Sequence, residues 1–217
     1  MFYNLLTAYL CYDLFLGLLA LVSYSVVSYT NGLVALNMIN PLINSPPLPD
    51  IGFYYLPQIS PYCPNIMLVL FCIYFAIKFF RIYNAKYLVQ LLWCITILFT
   101  IRLFTFTVTT VPPSTTGCIN PSIDSPIEWN VLKSLIVSND NTCSDYMFSG
   151  HACYFVILLL FVMKLSRSVL EKILCSVYVL LGLTSIISGH IHYTNDVVVA
   201  IALSIWCFYL VTNRQIY

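Results

Sequence analysis

The chain contains three histidines, His151, His190 and His192, and two of them share the stretch Ser188-Gly-His-Ile-His-Tyr-Thr-Asn-Asp196. His192 and Asp196 are four residues apart, so at the start of a helix they would lie one turn apart on one face, where a carboxylate can hold an imidazole nitrogen. Such a pair fixes the tautomer and leaves the second nitrogen a better base or nucleophile. His151 follows Ser149-Gly150 at the opening of an apolar run. A helix beginning there offers free backbone amides and a positive end to phosphate oxygens, with an imidazole beside them able to protonate a leaving group. Arg102 stands within another apolar run, and a guanidinium in such a place needs an anionic partner or a route to water. A lipid phosphate would be one such partner. Taken singly, the His–Asp pair also reads as a solvated cluster or a pH sensor, and Arg102 as a side chain that snorkels to the interface.

The elements that must position these groups are membrane spans. Of 217 residues, 60% are hydrophobic and 8% charged, more apolar surface than one soluble core of this size can hide. Crossing about 30 Å of hydrocarbon takes about 20 largely apolar residues. Six runs qualify, at approximately 14–34, 66–80, 87–111, 147–165, 169–188 and 197–212, the second and sixth being short. The expectation is an all-α integral membrane protein, a six-transmembrane-helix bundle forming a single membrane domain over residues 1–217, with no separate soluble domain. Met1-Phe2-Tyr3-Asn4 has no basic region of the kind that opens a signal peptide, so the first segment reads as retained. Asp13 reads as the cap of a helix beginning at Leu14, with residues 2–12 along the interface.

Basic residues orient the bundle. Lys78, Arg81, Lys86, Lys164, Arg167, Lys172 and Arg214 lie in loops or ends that share one side, and the positive-inside rule makes that side cytosolic, with both termini. The loops 35–65, 112–146 and 189–196 then face the lumen or exterior. They carry Asp50, Asp145, His190, His192, Asp196 and most other acidic groups, and His151 lies at the same depth. Three histidines and Arg102 at one depth favour an exoplasmic-facing active site over a chance cluster. The loop at 35–65 holds seven prolines, which excludes regular helix and favours a stiff extended wall. The loop at 112–146 is the place for selectivity or a lid.

A net charge of +1 gives no field for nucleic acid. The nine cysteines form no CxxC or His-spaced pattern, so neither a metal nor a cofactor is expected. Cys63, Cys118 and Cys143 fall together in loops, where a disulfide can form. The 17 Tyr and 14 Phe read mostly as interface belt and lipid-facing surface.

Four segments resemble a known family. Ser149-Gly-His151 followed by His192-x-x-x-Asp196 looks like the phosphatidic acid phosphatase type 2 superfamily, and the fuller context is similar to its sphingomyelin synthase branch. Pro46-Pro-Leu-Pro-Asp50 resembles that branch's first motif, and Arg102-Leu-Phe-Thr-Phe-Thr-Val-Thr-Thr-Val-Pro112 its second. Cys143-Ser-Asp-Tyr-Met-Phe-Ser-Gly-His151 resembles the third, and His190-Ile-His-Tyr-Thr-Asn-Asp-Val197 the fourth. The chain departs at Ser144, Val111, Ile191 and Thr107, none of them a group assigned to chemistry. The phosphatase branch carries a Ser-Arg dipeptide ahead of its last His; here Ser185 is followed by Ile186, which favours transferase over hydrolase.

The resemblance implies transfer of a phospho-head group from a glycerophospholipid to the primary hydroxyl of ceramide through a phosphohistidine. His151, His192 and Asp196 would be catalytic, and Arg102, Asp145, His190 and Tyr193 would bind substrate. The partners are those two lipids and the bilayer, with homo-oligomeric assembly left open. An exoplasmic site suggests Golgi or plasma membrane. Choline, ethanolamine and inositol head groups all stay open, as does a lipid phosphate phosphatase.

Overall fold

The computed structural model describes residues 2–38, 40–82, 85–115, 143–144 and 146–213; the side chains of 2–14, 79–82 and 85 are also outside the description. Every regular element among the described residues is helical. In chain order they are α1 (Phe2–Asn37), α2 (Ile51–Tyr55), α3 (Tyr62–Ile82), α4 (Ala85–Val108), α5 (Gly150–Leu165), α6 (Val169–Ser188) and α7 (Thr194–Asn213).

The bundle is organised around α5, which packs against α3, α4, α6 and α7. Its sequence is apolar on all sides, as expected of a helix surrounded by others. Ala152, Cys153, Phe155, Val156, Ile157, Leu158, Phe161 and Val162 are all buried. Phe155 lies on the backbone of α6 at Gly182, where an added Cβ would stand 2.7 Å from the ring. A small residue there lets the two helices close on a large ring. Phe71, Phe75, Phe161 and Phe208 continue the core along α5. By contrast α1 packs mainly on α4, touches α5 through the Tyr24–Tyr154 hydroxyl pair, and exposes Phe15, Leu18, Leu21, Val22 and Val26.

Stretches of four helices are long and apolar enough to cross a membrane: Phe15–Asn37, Lys86–Val108, Val169–Ser188 and Thr194–Asn213. Tyr62–Lys78 and Gly150–Leu165 are apolar but shorter. With 16 residues, α5 rises only about 24 Å.

Several boundaries differ from those expected. The first helix runs unbroken through Asp13 from Phe2, so Asp13 is not its cap. The fourth expected span begins at Gly150 rather than near 147, because Ser149 is extended and its hydroxyl accepts from Ala152 N. The proline-rich segment does contain a helical turn. Between Pro49 and Pro57, α2 is started by Asp50, whose carboxylate accepts from the amides of Gly52 and Phe53. Prolines bracket this turn without entering it, so their effect on helix is confined to its flanks.

The end of the bundle away from the histidines is closed by one charged cluster. Glu171, in the first turn of α6, pairs with Lys78 of α3 and accepts from Tyr74 and Ser166. Ser168 caps α6 by accepting from Glu171 N.

Candidate active site

Two chain segments form the opposite end: the start of α5 and the link between α6 and α7. The link begins as a tight turn. Gly189 N and His190 N donate back to Ser185 O and Ile187 O, and His190 takes a left-handed backbone, φ 53°. This reverses the chain, and Ile191 N donates to Ile186 O. His192 therefore lies before the first residue of α7, and its ring approaches Asp196 across the turn rather than along a helix face. Nδ1 of His192 is 3.4 Å from Oδ2 of Asp196, with both side chains buried. That is ion-pair distance without hydrogen-bond alignment, and Nδ1 has no other partner. Oδ2 of Asp196 also accepts from Tyr193 N at 3.3 Å, and Ser149 N donates to Asp196 O, tying the two segments together.

His151, the second residue of α5, faces His192 with ring centroids 6.5 Å apart. Its Nε2 is 2.7 Å from Oδ1 of Asn65, near the start of α3. Arg102, near the end of α4, is buried, and its Nε donates to Phe148 O at 3.1 Å. Gly150 adjoins it: a Cβ there would lie 3.7 Å from Nε. The guanidinium carbon is 5.9 and 5.5 Å from the ring centres of Phe99 and Phe106. Arg102 thus lies beside the residue preceding His151 and does not snorkel outward. Three groups expected at a site, on α4, α5 and the α6–α7 link, converge.

A family model matches the part of the chain that supplies two of these three groups, α5 and the α6–α7 link. The C-terminal model of the PAP2 superfamily matches residues 142–213, which hold His151, His192 and Asp196. Phosphatidylcholine:ceramide cholinephosphotransferase 1 of Rattus norvegicus is 27% identical over 190 residues, 79% of this chain and 45% of that protein. The protein of that name from Gallus gallus is 33% identical over 86 residues, 37% of this chain and 21% of that protein. Sphingomyelin synthase-related 1 of Caenorhabditis elegans is 28% identical over 177 residues, 73% and 36% respectively. The likeness is to the sphingomyelin synthases. The chain spans less than half the length of these relatives.

Other segments with a likeness to that family serve the frame around the histidines. Asp50 accepts from Thr194 N at 2.8 Å and Thr194 Oγ1 at 2.6 Å as well as from α2. Burial pushes its carboxyl up, but these four hydrogen bonds outweigh that and hold it below the ordinary carboxylate range. Gly52 fits beneath Thr194 only because it lacks a Cβ, which would stand 2.3 Å from Oγ1.

Tyr193, expected to bind substrate, has its hydroxyl held by backbone. It accepts from Leu48 N at 3.0 Å and donates towards Pro112 O and Pro113 O at 3.0 and 3.1 Å. His190 stacks on Phe53 of α2, centroids 4.0 Å apart and 10° from parallel. Both residues brace the link that presents His192. Asp145 lies outside the described residues. Of the three loop cysteines, Cys143 is disulfide-bonded, Cys63 is a free thiol within α3, and Cys118 lies outside the described residues.

Sequence reasoning missed Asn65 and Tyr146. Asn65 is an amide in the apolar stretch of α3 that precedes Lys78, which was the available signal. Tyr146 is fully buried with its ring edge-on to His192, centroids 5.8 Å apart. It sits inside the Cys143–His151 motif.

Proposed function

We propose that the chain is a ceramide phosphotransferase, moving a phospho-head group from a glycerophospholipid to the primary hydroxyl of ceramide and releasing diacylglycerol. The observation that carries this reading is the facing pair of rings, His151 and His192, with Asp196 behind the second and a buried arginine beside the start of α5. The separation leaves room for a phosphoryl group between the imidazoles.

Asp196 takes the Nδ1 side of His192, which leaves Nε2 as the nucleophile. Nε2 attacks the donor phosphorus, the bond to the glyceride oxygen breaks, and His151 gives that oxygen a proton, so diacylglycerol leaves and a phosphohistidine remains. Ceramide then enters. Its primary hydroxyl loses a proton to His151 and attacks phosphorus, and the bond to His192 breaks, restoring both residues. Arg102 stabilises the negative phosphoryl oxygens, and Asp145 helps organise the site. Closure of the bundle excludes water that would otherwise turn transfer into hydrolysis.

In this reading all six apolar helices cross the bilayer, α3 and α5 by local thinning or by snorkelling of flanking residues. The lysine-bearing end of α3 and α6 is cytosolic, and the histidines face the lumen of the Golgi or the cell exterior.

The test is incubation of purified protein in lipid with fluorescent ceramide and phosphatidylcholine, phosphatidylethanolamine or phosphatidylinositol in turn, beside His192→Ala. A new phosphosphingolipid that disappears in the variant is expected, and the productive donor separates sphingomyelin, ceramide phosphoethanolamine and inositol phosphorylceramide synthesis. Release of inorganic phosphate from phosphatidate, with no product from any donor, would move the chain to the lipid phosphate phosphatases.

A further inference from the structure

We infer that the seam between α1 and α5 recognises the amide and 3-hydroxyl of ceramide, with Asn31 selecting for them; the inference rests on the chain being the ceramide phosphotransferase proposed above. Tyr24, Ser28 and Asn31 recur at helical spacing on one face of α1. Asn31 is 3% exposed, and its Nδ2 donates to Val27 O and to Phe99 O of α4, each at 2.9 Å. Two carbonyl acceptors fix which end of the side-chain amide carries the nitrogen. Oδ1 is therefore an acceptor, and it is buried with no hydrogen-bond partner among the described residues. Oγ of buried Ser28 is in the same condition. Its neighbours on α1 are not: Ser25 and Thr30 donate to the carbonyls one turn back. Tyr24 shares a hydroxyl–hydroxyl bond of 2.9 Å with Tyr154 of α5. Two hydroxyls carry two protons and that bond uses one, so the pair has a donor to spare.

These groups lie just below the histidine end. Tyr154 is one turn, about 4.5 Å, along α5 from His151. Phe99, whose carbonyl holds Asn31, sets its ring edge-on to Tyr154, centroids 5.5 Å apart, and 3.5 Å from where a Cβ on Gly150 would stand. The backbones of α1 and α5 do not pack on one another; side chains span the seam. Each orphaned polar atom costs free energy in an apolar layer until a ligand meets it. A fitting ligand brings donors for Oδ1 of Asn31 and Oγ of Ser28 and an acceptor for the tyrosine proton. Ceramide has all of these within a few bonds of its reacting hydroxyl: the amide N–H and the 3-hydroxyl donate, and the amide carbonyl accepts. Diacylglycerol, the leaving lipid, offers ester carbonyls but no donor beyond its single hydroxyl. Buried acceptors thus separate the lipid that must enter from the one that must leave.

The experiment measures transfer to ceramide, N-methylceramide and 3-deoxyceramide in lipid by wild type and Asn31→Leu, with thermal unfolding of both proteins. Wild type should use at least one analogue with kcat/KM about 10-fold below that for ceramide. N31L should lose a similar factor with ceramide and no longer distinguish it from that analogue. Leucine fills the volume of the amide without a buried orphan, so the unfolding midpoint should hold or rise. If N31L does not fold, Ser28→Ala combined with Tyr154→Phe reads the same loss of preference. A wild type active on ceramide but indifferent to both analogues overturns the inference, as does a preference that survives in the variant, or a fall in stability with transfer to all three lipids reduced alike. A wild type that makes no phosphosphingolipid from any donor overturns the proposed function itself, and this role with it.

Discussion

The two ends of the bundle treat polar groups differently. At the lysine-bearing end, Glu171 collects Lys78, Tyr74 and Ser166, so one carboxylate is saturated by three helix-borne or cap-borne donors. At the histidine-bearing end, the frame is saturated but the centre is not. Asp50, Tyr193 and the α6–α7 turn are tied to backbone, while Nδ1 of buried His192 has only an unaligned carboxylate 3.4 Å away. A saturated polar cluster closes a structure; a buried group held just short of its partner by a rigid frame is set to tighten when a ligand arrives. Under the proposed function, the difference between the ends separates stability from chemistry.

The sharpest break of that contrast is Asp196→Asn. An amide leaves the shape of the pair intact but favours the wrong tautomer of His192, and transfer should fall on the order of 10³- to 10⁴-fold. Circular dichroism and thermal unfolding of the variant should match wild type. A comparable loss of stability would instead make Asp196 part of the frame.

Asp50→Asn tests the frame itself. Replacing an acceptor that serves four donors should cost about 1–3 kcal/mol of stability, read as a lower unfolding midpoint, with activity reduced in step. The pH dependence follows from the carboxyl's depressed native value. Its contribution is present above the unfolded carboxyl's pKa, about 4, and is lost as pH falls through the lower native value. Wild type should therefore lose midpoint on acidification more steeply than D50N; parallel curves would remove Asp50 from the account.

Glu171→Gln should have the smallest effect. Its partners are partly exposed to solvent, so the charge contributes about 1 kcal/mol, and kcat for transfer should be unchanged. A kcat that fell without a change in fold would connect the far end to the chemistry and dissolve the contrast.

Part of this site was legible in the sequence for a simple reason. Where partners lie within one helical turn, as His192 and Asp196 do, spacing alone brings them near each other, although the turn at His190 altered the route. The Ser149 cap before His151 was legible for the same reason. The contacts of Tyr193 and His190 were not legible because their neighbours, Leu48, Pro112 and Phe53, lie far away in the chain. Asn65 escaped notice because 86 positions separate it from His151. The helical turn at α2 was hidden by its prolines, whose influence is local while Asp50 starts a turn between them.

The sequence by itself determined the helices, through long apolar runs that leave the backbone no better way to satisfy its hydrogen bonds, and it determined which polar residues were too costly to bury without purpose. Only the tertiary structure decided that α5 is the hub and that three helices and a link deliver Arg102, His151, Asn65 and His192 to one end. Those decisions depend on packing between segments distant in the chain, such as Phe155 against Gly182, and no local pattern of residues encodes them.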